Sequence, residues 1–257
     1  MSRAITALRR RLDPERWPAG TRSSLLGSGT AALLVSATNA ASLGLGAVPV
    51  LVTTLCWLGV GAAVAHGIEA HPHRLFGAAN RVTMLRATIT VLLAGAVPVA
   101  AVLDASTLRG IAALALVALT LDGVDGWLAR THGLGSAFGA RFDMEVDALL
   151  ALVMALLLWR TGEAGVWVLA LGTLRYAFLA AMRVLPALAA PLYPSWRRKG
   201  VCVVQVAALT LCLMPSIAPP LSSWLLGTAL FALLGSFGRD TLWLLRHGAA
   251  DEARAQE

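Results

Sequence analysis

Apolar residues in this chain come in blocks of about 20, separated by short stretches that carry most of the arginines. About 20 residues is the length at which an α-helix crosses hydrocarbon. A segment in that medium must satisfy its backbone polar groups internally, which leaves helices as the only element for these blocks. Eight spans are expected, over roughly 25–46, 48–68, 82–103, 109–130, 142–160, 165–186, 200–217 and 221–246. The predicted fold class is all-α, a polytopic transmembrane helical bundle. Composition agrees: 58% of the 257 residues are hydrophobic and 14% charged, against roughly a quarter charged in soluble domains.

The arginines orient the bundle. With the N-terminus in the cytoplasm, the basic arm (Arg3, Arg9, Arg10, Arg11, Arg16, Arg22) and most loop arginines fall on the inner side, and only Arg109 and Arg160 fall outside. Met1 to Arg22 has no apolar stretch of the kind a cleaved signal carries, and reads as an arm able to touch anionic lipid. We expect a multi-pass protein of the inner (cytoplasmic) membrane of a bacterial cell, both termini cytoplasmic. The net charge of +7 is dispersed over short loops and contains a single lysine, Lys199. That is not a nucleic-acid face, and no nucleic-acid partner is expected. Cys56, Cys202 and Cys212 lack paired spacing and suggest neither a disulfide framework nor a zinc site.

Four aspartates break the apolar pattern in one place: Asp122, Asp125, Asp143 and Asp147. Each ionised group costs about 2.5–3.5 kcal/mol at mid-bilayer on translocon scales, and four like charges repel one another. Divalent cations would remove both objections. Asp122 and Asp125 are three apart and Asp143 and Asp147 four apart, so each pair shares a helix face. A cytoplasmic turn over 131–140, loosened by Gly133, Gly135 and Gly139, joins the two helices as a hairpin whose pairs can face each other. Hard oxygen ligands without His or Cys favour Mg²⁺ or Mn²⁺. Magnesium favours phosphates as co-ligands, so the expected substrate is a phosphorylated molecule with a lipid tail.

The spacing D-x2-D-G-x2-A-R-x8-G-x3-D-x3-D, from Asp122 to Asp147, resembles the signature of the CDP-alcohol phosphotransferase family at every fixed position. The resemblance covers roughly residues 74–246. It implies a phosphatidyl group moved from CDP-diacylglycerol to a small alcohol with release of CMP, in a six-helix core; spans one and two are extra. It implies that Asp122, Asp125, Asp143 and Asp147 bind the metals and that Asp147 is also the general base. An aspartate, with a reference pKa near 3.9, can take the hydroxyl proton only in concert with attack on phosphorus. Gly126, Ala129, Arg130, Ser136 and Gly139 would contact the CDP donor. Asn80 and Thr83 would join them, since Asn80-Arg81-Val82-Thr83 followed by Leu85-Arg86 resembles the start of the family's first core helix, with Ala79 standing where the family has Pro. Relatives with phosphorylated acceptors use basic residues near the position of Arg197, Arg198 and Lys199 here. Together with Arg183 on the sixth span, these are the acceptor candidates, for glycerol 3-phosphate or inositol phosphate among others. Members are commonly homodimers.

The expected organisation is a basic arm over 1–24, two additional spans over 25–70, the six-helix catalytic domain over 71–247 and a cytoplasmic tail over 248–257. Rival readings are an aspartate-rich membrane prenyltransferase, a divalent-cation transporter and a non-catalytic scaffold. The prenyltransferase normally separates its two aspartate clusters by several helices, and the transporter needs polar residues at successive depths. Glu145 points away from the aspartate face and is expected to be solvated or paired with Arg141. His71 and His73 read as loop residues, and most tryptophans as interfacial anchors near span ends.

Overall fold

Among the described residues, eight α-helices form where the eight apolar blocks lie: α1 (Thr21–Ser42), α2 (Val48–Gly67), α3 (Ala78–Ala96), α4 (Ala105–Thr131), α5 (Ala137–Arg160), α6 (Leu169–Val184), α7 (Trp196–Cys212) and α8 (Leu221–Arg254). The computed structural model of the protein describes residues 17–131, 135–190 and 195–254, with side chains other than those of 124–131, 186 and 247–254. Most of the basic arm lies outside the described residues. The chain is an all-α polytopic transmembrane bundle.

Among the described residues, five segments are long and apolar enough to cross a membrane: Val48–Ala70, Ala78–Val102, Ala105–Gly123, Val166–Val184 and Leu221–Arg246. The other three helices fall short for visible reasons. α1 is diluted by Ser, Thr and Asn. α7 has 17 residues and opens on Arg197, Arg198 and Lys199. α5 carries Arg141, Asp143, Glu145 and Asp147 in its first three turns.

Local chemistry sets several boundaries. Asp104 caps α4, its carboxylate accepting the Thr107 N–H at 2.9 Å and the Ser106 hydroxyl at 2.5 Å. These bonds to the charged form hold the Asp104 carboxyl down at about 2. Ser136 caps α5, accepting the Gly139 N–H at 3.0 Å. α3 gives way to a 3₁₀ segment, Val97–Val102, at Pro98, whose ring cannot continue an α-helix. The Arg160 guanidinium donates to the Pro98 carbonyl at 3.1 Å and ties the far end of α5 to that segment.

α3 is the hub, packing against α1, α2, α4 and α5, while α5 also packs on α6 and α7, and α7 on α8. Helix association in lipid rests on close van der Waals packing and on satisfied polar groups. Both are visible in α3. Its buried Thr88 and Thr90 return their hydroxyls to the carbonyls of Met84 and Arg86, each at 2.8 Å. On α5, the polar start gives way to a buried apolar half, with Leu150, Met154, Leu157 and Leu158 in the larger core.

A second core joins α1 and α2 to the catalytic helices. Trp57, Val60, Val64 and Ile68 pack with Phe76, Met84, Phe138 and Phe142. Trp57 is thus buried in the bundle and is an exception to the interfacial placement expected of tryptophans. Gly29 makes room for it, because a Cβ there would stand 2.2 Å from the indole nitrogen. Ahead of α1, Ala19 pairs with the strand-like segment before α3, through Ala19 N–H to Arg74 O (2.8 Å) and Phe76 N–H to Ala19 O (3.1 Å).

Candidate active site

Asp143 and Asp147 lie one turn apart on α5, and Asp122 lies on α4 one turn beyond Ala118. One carboxylate oxygen from each of Asp122, Asp143 and Asp147 falls within 4.8 Å of the others. Three of the four carboxylates expected to converge lie together, and that of Asp125 is outside the described side chains; the cause differs from the one expected. Each of the two helices packs on α3, and a residue of α3 fills the space between their carboxylates.

That residue is Arg86, whose side chain is 1% exposed. Its Nε donates to the Ala118 carbonyl at 3.1 Å. One terminal nitrogen meets Asp143 Oδ1 at 2.5 Å and Asp122 Oδ1 at 3.1 Å. The other meets Asp147 Oδ1. The guanidinium therefore lies along one face of α4 and bridges to α5. Among the described side chains, three negative charges share one positive charge. The acids keep 30–37% exposure, so the surplus charge is on the accessible side.

Sequence reasoning placed Arg86 within a motif without assigning it to the aspartate cluster. The available signal was an arginine six residues after Asn80 on an otherwise apolar helix. An isolated guanidinium there is costly enough to demand carboxylate partners.

The donor candidates are partly described. Asn80 is 5% exposed and donates its amide to the Phe76 carbonyl at 2.6 Å. Thr83 is also buried and returns its hydroxyl to Ala79 O at 3.2 Å. A Cβ on Gly139 would stand 2.7 Å from Asn80 Oδ1 and 3.3 Å from Ser136 Oγ. Gly139 thus lies in the first turn of α5 and permits close approach to α3, a role beyond loosening the turn. The side chains of Asp125, Gly126, Ala129 and Arg130 lie outside those described.

The acceptor candidates have two kinds of partner. At the start of α7, Arg197 donates to Ser236 Oγ and Asp240 Oδ1 on α8, both at 2.5 Å, and Arg198 stands 3.8 Å from Asp240 Oδ2. The Asp240 side chain is 7% exposed. Lys199 lies 5.3 Å over the Trp196 ring, and Arg183 is exposed in the last turn of α6. Glu145 is corrected: it pairs with Arg175 of α6 at 2.7 Å in place of Arg141, because its face of α5 turns toward α6. His71 is corrected as well, being 7% exposed and bonded at both ring nitrogens.

Among the described side chains, three carboxylates gather around Arg86 with no His or Cys among them, a donor set that could hold a hard cation on its exposed side. Opposed oxygens at about 2.0–2.1 Å from Mg²⁺ are about 4 Å apart, so a 4.8 Å spread needs only small adjustment. The donor set fits Mg²⁺ or Mn²⁺. The CDP-alcohol phosphatidyltransferase family matches residues 76–235, and the chain belongs to it. The match begins at the approach to α3 and leaves α1 and α2 outside. No curated protein and no solved structure matches the chain at significant similarity. Membership makes the protein a membrane transferase of phospholipid synthesis, using a CDP-alcohol and an alcohol acceptor.

Proposed function

We propose that this enzyme moves the phosphatidyl group of CDP-diacylglycerol to a small alcohol and releases CMP. The observation that carries this reading is the meeting of Asp122, Asp143 and Asp147 around one point, at positions matching the family signature. In the reaction the acceptor oxygen forms a bond to the phosphatidyl phosphorus while the bond from that phosphorus to the CMP oxygen breaks. We assign Asp147 the proton of the attacking hydroxyl.

Asp122, Asp125, Asp143 and Asp147 would hold Mg²⁺ or Mn²⁺. When bound, such ions offset the charge of the diphosphate and of the departing CMP. Arg86 would orient Asp143 and Asp147 from the buried side by holding one oxygen of each. Asn80, Thr83, Gly126, Ala129, Arg130, Ser136 and Gly139 form the donor side.

On the acceptor side, Arg197, Arg198 and Lys199 bring three cationic groups together at the start of α7. That supports a phosphorylated acceptor such as glycerol 3-phosphate or inositol phosphate, with Arg183 contributing at the end of α6. The distribution of arginines supports an inner-membrane location with both termini cytoplasmic, and the family resemblance supports a homodimer.

The test is CMP release from CDP-diacylglycerol by detergent-purified protein with Mg²⁺ or Mn²⁺, over a panel of acceptors. Metal-dependent release with one acceptor is expected, falling by about 10²–10⁴ in Asp147→Asn. Folded, metal-binding protein that releases no CMP with any acceptor would refute the reading.

A further inference from the structure

His71 lies outside the family match, in the link between α2 and α3, yet it touches the turn that leads into the catalytic helix. Its Nε2 stands 2.9 Å from the Leu75 carbonyl and its Nδ1 2.9 Å from Ser136 Oγ. A carbonyl only accepts, so Nε2 carries the proton. In the neutral ring Nδ1 is then an acceptor, and the Ser136 hydroxyl donates to it. Ser136 Oγ also accepts the Gly139 N–H at 3.0 Å. The hydroxyl proton is thereby committed to His71, and the oxygen keeps one free lone pair.

The surroundings hold this arrangement from several sides. The Phe138 ring meets His71 edge-on at 5.9 Å and stacks on Phe142 at 5.7 Å. Gly67, at the end of α2, lies against the same Phe138 ring. His73 adds a second bond, from Nε2 to the Gly135 carbonyl at 3.3 Å.

We propose that His71 is a positioning residue for the nucleotide: it turns Ser136 into a fixed hydrogen-bond acceptor, and the α1–α2 unit holds the donor site through it. This rests on the reading above that Ser136 faces the CDP donor. A committed hydroxyl cannot donate to a phosphate oxygen. Ser136 therefore accepts from the cytidine part of the donor, from a ribose hydroxyl or the cytosine amino group.

The experiment compares full-length wild type, His71→Leu, His71→Asn, Ser136→Ala and the double variant His71→Leu/Ser136→Ala in detergent, with melting temperatures recorded alongside. For His71→Leu we expect the KM for CDP-diacylglycerol to rise about tenfold, the loss of one well-placed bond, with kcat within about twofold. Competition by CMP weakens to match, while competition by inorganic pyrophosphate at fixed free Mg²⁺ is unchanged. Asn carries its amide oxygen near the place of Nδ1, so His71→Asn restores most of the affinity. The double variant is no worse than Ser136→Ala alone. Multiplying effects, no rescue by Asn, or a fall in kcat and melting temperature without a KM change would overturn the proposal. Wild type that neither releases CMP nor is inhibited by it would refute the parent reading, and this inference with it.

Discussion

Among the described residues, arginine meets aspartate in two places, and the two clusters are inverted copies of one another. Around Arg86 the cation is the buried member, at 1% exposure, and the three acids keep 30–37%. Around Asp240 the acid is the buried member, at 7%, and Arg197 and Arg198 keep 28–30%. A buried ion is tolerated only when paired, whereas a partly solvated surplus can recruit a ligand of opposite sign. The first cluster therefore exposes its carboxylates, and the second its guanidinium groups.

Arg86→Met gives the largest effect we expect. It leaves three carboxylates without their internal counter-charge, a loss of about 3–5 kcal/mol for a broken buried pair. Thermal unfolding in detergent with EDTA should show it, and Mn²⁺ should recover part of the deficit by taking over the neutralisation. An equal deficit with and without Mn²⁺ would break the comparison.

Arg197→Met is expected to cost less, about 1–3 kcal/mol, since Arg198 still faces Asp240 and Arg197 is partly solvated. Divalent cations should leave that deficit unchanged, which sharpens the contrast. Glu145→Gln removes a pair whose members are 30% and 46% exposed. About 0–1 kcal/mol is expected, fading further in high salt.

The smallest effect lies at the cap of α4. The Asp104 carboxyl is held at about 2, below its ordinary 3.8. Its contribution is complete above the ordinary value and disappears as the pH falls through about 2. Asp104→Asn should remove that part of the acid dependence and leave melting near neutrality lower but flat. Unfolding curves between these pH values that superimpose on wild type would contradict this.

Eight apolar blocks gave eight helices because backbone satisfaction in hydrocarbon leaves no alternative. Most helix boundaries moved by five residues or fewer, but α3 stops at Ala96, seven short of the expected 103, and α8 runs eight past 246 to Arg254. The convergence of Asp122, Asp143 and Asp147 was legible because three- and four-residue spacing fixes a helix face whatever the neighbours are. Partners were much less legible. Glu145 was expected to be solvated or paired with Arg141; it is 46% exposed, and its partner is Arg175 of α6. His71 read as a loop residue because burial is set by Phe138 and Ser136, more than sixty positions away.

Hydrophobic period and carboxylate spacing are local properties, and they alone determined an all-helical membrane bundle with an acidic site on one helix pair. Which helix separates that pair, which cation lies among its acids, and why a side chain at Gly139 would crowd Asn80 were decided by packing. Those answers depend on how close α3 comes to α4 and α5. That distance is set jointly by many side chains, and no single stretch of sequence encodes it.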